Sequence, residues 1–255
     1  MPNQCKISKS LGGGFSGTPN EVWGTVDYED INEPCVFFGM YDLRDYLALY
    51  RHKGKAWILW CGGDLNNLDR NFVLNDGKLK TISRIPGARK IILRILEKAE
   101  HWVENDWEAS VLKKYGIPCQ ICPSFLGNVN KYPKQKNLKK GHYWCSASPC
   151  RQEEYGWGFI EKLAALKPDF TFHLYGATWK TKHKNVIIHG RISIEQMDKE
   201  TKNMWGSLRL NEKDGFSEVT AKSILWGQHP LSFIKYPKRS RSWYVKNINN
   251  YPWLK

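Results

Sequence analysis

The chain has 255 residues, 41% of them hydrophobic and 13% aromatic. That composition suits a folded protein of one large or two modest domains and excludes a disordered or fibrous chain. A formal net charge of +14 predicts attraction to something anionic: nucleic acid, an acidic membrane surface or a phosphorylated substrate. No apolar run is long enough to span a membrane and the amino terminus lacks the apolar core of a secretory signal, so a cytoplasmic protein with seven reduced cysteines is expected.

Cys5 to Ser8 reads as a short opening strand, followed by SLGGGFSG with Gly12, Gly13, Gly14 and Gly17. These glycines permit a close backbone approach to a ligand, although a flexible tail explains them equally well. CVFFGMY reads as a buried strand, YDLRDYLALYRH as a helix and KAWILWCGGDL as a second buried strand ending at Asp64. His52, beside basic residues, is expected at the surface. Pro86 to Lys98 is apolar at helical spacing, AEHWVEN is a strand leading to Glu104, DWEASVLKKYG a helix closed by Gly116, and PCQICPSF a strand. The C-x-x-C of Cys119 and Cys122, with Cys145 and Cys150 downstream, lacks knuckle glycines and sits in an apolar run, so no metal site is expected.

GNVNKYPKQKNLKKG is polar, lysine-rich and without period, which marks residues 128–141 as a linker after a first domain at 1–127. The alternation then restarts over residues 142–236, with HYWCSASP, FTFHLYG and VIIHGRI as strands and EEYGWGFIEKLAALKPD as mostly helix. Ser193, with Gln196 three residues on, has the spacing of a capping box. The basic, aromatic tail at 237–255 suits packing back on the first domain or lying on an anionic membrane surface. Strands alternating with helices imply parallel α/β sheets.

The stretch GSLRLNEKDGFSEVTAKSILWGQHPLSF, residues 206–233, reads as strand, loop, helix and strand. A loop at the carboxyl end of a parallel strand meets a helix amino terminus there, a place that favours an anionic group such as a nucleotide diphosphate.

The second half resembles the carboxyl-terminal domain of family 4 glycosyltransferases of the GT-B architecture. Asp214, Gly215, Phe216 and Ser217 match that family's acidic residue, Gly, Phe, Gly run, and Gly227 matches the glycine before its next strand. The resemblance implies two Rossmann-like domains facing a cleft, a nucleotide-diphosphate sugar as donor substrate without a metal or other cofactor, and retention of anomeric configuration. The resemblance leaves the acceptor unidentified: a glycan, lipid or protein. The implied donor-binding residues are Gly13, Gly14, Arg151, Arg191, Arg209, Asp214, Gly215, Phe216, Ser217, Glu218 and Lys222. Lys222 stands where the family has its ribose-contacting glutamate, facing either a diphosphate or Glu218 one turn earlier. Arg151 has a local carboxylate as its alternative partner. In the first domain, Asp64 and then Glu104, at sheet edges, are the candidate catalytic bases, Asp64 having a helix-cap role as its alternative. Two other functions fit the same features: a nucleic-acid-binding protein using the basic linker and tail, and a sugar-nucleotide-binding protein without transfer activity.

Overall fold

The computed structural model describes residues 2–11, 17–70, 72–73, 85–234 and 240–254. The chain forms two compact units, the first comprising residues 1–128, 213–216 and 247–255 and the second residues 129–212 and 217–246. Both are parallel α/β units, the class expected from the alternating pattern.

Unit 1 holds a six-stranded parallel sheet of β1 (Gln4–Ile7), β2 (Val26–Asp27), β3 (Cys35–Phe38), β4 (Ala56–Leu59), β5 (Ala99–Val103) and β6 (Cys119–Ile121), in the order β2-β1-β3-β4-β5-β6. CVFF and AWIL are buried at every position, as strands covered on both faces require. One face is covered by α2 (Leu43–Arg51), α3 (Gly63–Asp69), α4 (Ala88–Leu96) and α5 (Asp106–Lys114), which contribute Tyr46, Leu49, Leu65, Ile92, Leu96 and Leu112 to its core.

The opposite face is built from α1 (Pro19–Trp23) and the chain's last residues. Tyr251 and Trp253 stack 4.5 Å apart and pack edge-on against Trp102, beside Trp23, Phe38 and Trp57. Buried aromatics of this size each supply roughly 1.5–3 kcal/mol. Tyr251 and Trp253 are therefore interior groups, and their rings are turned neither to lipid nor to bases.

Unit 2 holds a five-stranded parallel sheet of β7 (Lys139–Ser146), β8 (Thr171–Tyr175), β9 (Val186–Gly190), β10 (Met204–Arg209) and β11 (Leu231–Ser232), in the order β11-β10-β7-β8-β9. Its helices are α6 (Trp157–Leu166), α7 (Ile194–Thr201), α8 (Glu218–Trp226) and α9 (Arg241–Asn247), the last of which reaches the boundary between the two units' residues. Every residue of α8 from Val219 to Trp226 is buried, and Gly227 ends it in the left-handed conformation at φ 80°. Lysines 131, 134, 136, 139 and 140 are exposed, whereas Tyr132 between them is buried and Gln135 donates its amide to the Trp226 carbonyl.

Two local readings are corrected, and one short helix is added. The five-residue α1 follows the glycine run, with Thr18 and Glu21 forming a full capping box and Pro19 opening the helix. Ser193 does accept from the Gln196 amide, but the Gln196 side chain turns to Glu200 and leaves the capping box half made. His52 is buried: it packs on Phe37 and sits 3.4 Å from the Tyr28 hydroxyl. Among the described residues no helix is long and apolar enough to cross a membrane.

Trp253→Ala is expected to lower the unfolding free energy of the whole chain by about 3–5 kcal/mol, read by denaturant titration. A cost below about 1 kcal/mol would mean that the terminal aromatics decorate the core rather than complete it.

Candidate functional site

At the carboxyl ends of β4 and β5, unit 1 gathers four acidic residues whose charges act on one another: Asp64, Glu104, Glu108 and Asp214. Asp64, at the start of α3, is fully buried. Its Oδ2 accepts from the Met40 amide at 2.9 Å, and its Oδ1 from the amides of Cys61 at 3.0 Å and Leu65 at 2.9 Å. Burial pushes this carboxyl up to about 6 against the downward pull of those amides. Asp64, a candidate base with a helix-cap role as its alternative, sits at the start of α3 and ties the residues after β3 and β4 together.

Glu104, one residue past β5, is also buried. Its Oε1 accepts from the Ser124 hydroxyl and its Oε2 from the Phe216 amide at 2.6 Å. Beside it, Asn105 caps α5 by accepting from the Glu108 amide, and donates to the Asp214 carbonyl at 2.9 Å. Lys213 meets Asp69 at 3.3 Å. Residues 213–216 are thus held on unit 1 at three of their four positions, Lys213, Asp214 and Phe216.

The fit around this segment dictates glycine. A Cβ on Gly215 would lie 2.1 Å from Glu104 Oε2. One on Gly62 would lie 2.3 Å from the Gly215 nitrogen, and Gly62 also has φ 79°.

Glu108 was not anticipated as a site residue. Its carboxylate accepts from the Glu104 amide, and its Oε1 is buried without a hydrogen-bond partner. Burial raises its proton affinity and the neighbouring Glu104 raises it further; burial likewise raises that of Glu104. Two carboxyls so placed do not both carry charge, and the pair retains a proton into the neutral range. The N-x-x-E spacing of Asn105 and Glu108 directly after a strand is the sequence signal that marks it.

In unit 2, Ser217 caps α8: its hydroxyl oxygen accepts from the Thr220 amide at 3.2 Å, so that first-turn donor is satisfied within the helix. Glu218 opens the same helix. Lys222, 2% exposed, is paired with Asp198 Oδ1 at 2.8 Å and lies over the Tyr132 ring, while Tyr132 donates to Asp198 Oδ2. That lysine fastens α8 to α7.

Arg209, at the end of β10, lays its guanidinium 4.5 Å over the Tyr155 ring. Arg151 is exposed and pairs loosely with Glu154 at 3.5 Å, the local alternative, worth little in solvent. Arg191, just past β9, is exposed. Asn211, two residues after β10, keeps a buried amide oxygen without a hydrogen-bond partner. Gly13 and Gly14 lie outside the described residues. Among the described residues no group of three or more His, Cys, Asp or Glu is placed to hold a metal.

No family model matches the chain and no curated protein matches it. Solved structures do. TarM superposes with a TM-score of 0.52 at 14% identity, over 80% of this chain and 41% of that one. The pneumococcal O-GlcNAc transferase GtfA, solved with UDP and GlcNAc, gives 0.53 at 12% identity over 80% and 42%. Sucrose-phosphate synthase from Thermosynechococcus elongatus gives 0.51 at 10% identity over 78% and 55%. The likeness shows the fold, that of the GT-B glycosyltransferases, and the chain spans 41% to 55% of these neighbours' lengths.

Two outcomes are expected here. Glu104→Gln places an amide among N–H donors and should cost about 1–3 kcal/mol of stability. Because folding raises the Glu104 pKa, the carboxyl's stabilising share is complete below its unfolded value near 4.5 and is lost as pH rises through the folded value. The gap between wild type and variant should therefore narrow with rising pH in unfolding titrations. Lys222→Met should cost about 1–3 kcal/mol by stranding Asp198, and should leave calorimetric affinity for UDP unchanged; a large affinity loss without a stability loss would return Lys222 to the ligand.

Proposed function

We propose that the chain is a metal-independent glycosyltransferase that moves a hexosyl group, with retention, from a nucleotide-diphosphate sugar to a glycan, lipid or protein acceptor. The observation that carries this reading is the Asp-Gly-Phe-Ser segment leading from β10 into α8, in a fold shared with a transferase solved with UDP and GlcNAc. The segment's backbone is pinned in place by Glu104, Asn105 and the glycine contact with Gly62. Pre-set backbone of this kind needs no reorganisation when a diphosphate arrives at a helix start.

Under this reading the amides of Glu218 and Val219, the first-turn donors that the Ser217 cap does not take, and the cations Arg151, Arg191 and Arg209 bind the diphosphate and offset charge on the leaving nucleotide. Asp214 and Glu218 are assigned to donor binding on the same reading. Asp64 acts as a positioning group, since its lone pairs are taken by amides. Glu104, with its raised proton affinity, is the proton-holding group nearest the segment. Work in the cytoplasm, at the inner face of an anionic membrane, suits the positive charge. The aromatic tail does not favour a nucleic-acid role, because Tyr244, Tyr251 and Trp253 are buried.

Calorimetry with UDP, ADP and GDP should show binding of one diphosphate, weakened by Arg151→Ala or Arg191→Ala about tenfold or more, as loss of a charge-assisted contact implies. Turnover of the matching nucleotide sugar should persist in EDTA. Binding without turnover on any acceptor would favour the sugar-nucleotide-binding alternative, and no binding of any diphosphate would overturn the proposal.

A further inference from the structure

The outer layer of unit 1 carries exposed apolar side chains that its core does not use. α2 and α4 pack side by side on one face of the sheet, and their inner positions, Tyr46, Leu49, Ile92, Ile95 and Leu96, are buried in the core. On the outside, Leu47 and Tyr50 of α2 are 40% and 57% exposed, and Ile91 of α4 is 57% exposed. Leu47 and Tyr50 stand at i and i+3, on one flank of their helix. Lys98 follows Ile91 by about two helical turns and so continues the Ile91 flank. Its ammonium donates to the Tyr50 carbonyl at 2.8 Å and sits 5.1 Å from the Tyr50 ring. That contact turns the Ile91 flank of α4 toward the Leu47 and Tyr50 flank of α2, and the three side chains form an exposed apolar seam between the helices.

Cations surround the seam. Arg44 and Arg51 on α2, Lys53 just beyond it, Lys90 and Arg94 on α4 and Lys98 just beyond that are all exposed, and none of them is in a salt bridge with a described residue. Asp45 of α2 is buried and taken by Lys6 and Ser8, which leaves Glu97 as the exposed acid of this layer. At the carboxyl end of α2, Ile31, Tyr50, Arg51, His52, Lys53 and Lys98 line a hollow of about 520 Å³, with three cations and no carboxylate.

We propose that the α2–α4 face docks unit 1 on an anionic lipid bilayer, with Leu47, Tyr50 and Ile91 entering the headgroup boundary and the surrounding lysines and arginines meeting lipid phosphates. Exposed apolar side chains ringed by cations are what a helix lying in the plane of a membrane presents to it. A second copy of the chain would bring like charge against like charge on this face. Single-stranded nucleic acid calls for open aromatic platforms, and Tyr50, the ring on this seam, already carries Lys98. Tyr251 and Trp253 are interior groups, so the lipid contact falls to this layer instead of the tail. The inference names the surface behind the membrane placement in the transferase reading, yet it stands on α2 and α4 alone and does not require nucleotide binding.

The test is co-sedimentation of the full chain with vesicles of phosphatidylcholine, with and without about one-third phosphatidylglycerol, at low and at high salt. Binding to the anionic vesicles is expected, weak on phosphatidylcholine alone and reduced by salt. Arg51→Gln and Arg94→Gln should each lower the partition coefficient about fivefold, and Leu47→Ser combined with Ile91→Ser about tenfold or more. Leu166→Ser, which removes an exposed apolar side chain from α6 in unit 2, should leave it unchanged. Calorimetric affinity for UDP should be the same in all of these variants, so loss of vesicle binding alone is told apart from failure of the transferase reading. Equal binding to both vesicle types, binding to neither, no loss in the α2 and α4 variants, an equal loss in Leu166→Ser, or tighter binding to a single-stranded oligonucleotide that the α2 and α4 variants weaken would each overturn the proposal. If the serine pair does not fold, Arg94→Gln decides it.

Discussion

Unit 1 depends on the Glu104 carboxyl. Left alone, a buried carboxylate is among the more costly groups a protein can carry, and this one is stabilised by accepting from the Ser124 hydroxyl and the Phe216 amide. That requirement brings residues 213–216 against the end of β5; the closeness of the approach leaves no room for a side chain at Gly62, and one at Gly215 would displace the Glu104 carboxyl. The Asp-Gly-Phe motif is thus a steric consequence of a buried acid as much as a chemical signature. With Glu108 alongside, the acid also becomes a place where a proton is held.

Unit 2 solves a related problem with the opposite charge. Lys222 is enclosed by α8, and Asp198 with the Tyr132 ring makes that burial tolerable. Asp64 repeats the theme in unit 1, its carboxylate spent on three backbone amides. Strand-end and helix-start charges in this protein first satisfy the fold. Under the transferase reading, phosphate recognition falls to groups the fold leaves toward solvent, chiefly Arg151 and Arg191.

Much of the architecture is legible in the sequence. CVFF and AWIL are short apolar runs between turn residues, and such runs become strands buried on both faces. Ser217 and Gly227 mark the two ends of α8 because capping chemistry is local. The capping box of Thr18 and Glu21 is equally local, a Thr-x-x-Glu run with Pro at the first helical position. His52 misleads: its neighbours in sequence are basic, while its neighbours in space are Tyr28 and Phe37.

By itself, then, the sequence determined the alternation of the longer strands and helices, the parallel α/β class and the glycine-bounded segment from β10 to α8, since all of these follow from periodicity and from contacts within a few residues; the short α1, β2 and α9 it did not mark. Only the tertiary structure decided which charges are spent. Glu104 meets Phe216 across 112 positions and Lys222 meets Asp198 across 24. A side chain's partner, burial and proton affinity are set by such distant segments, and no local pattern records them.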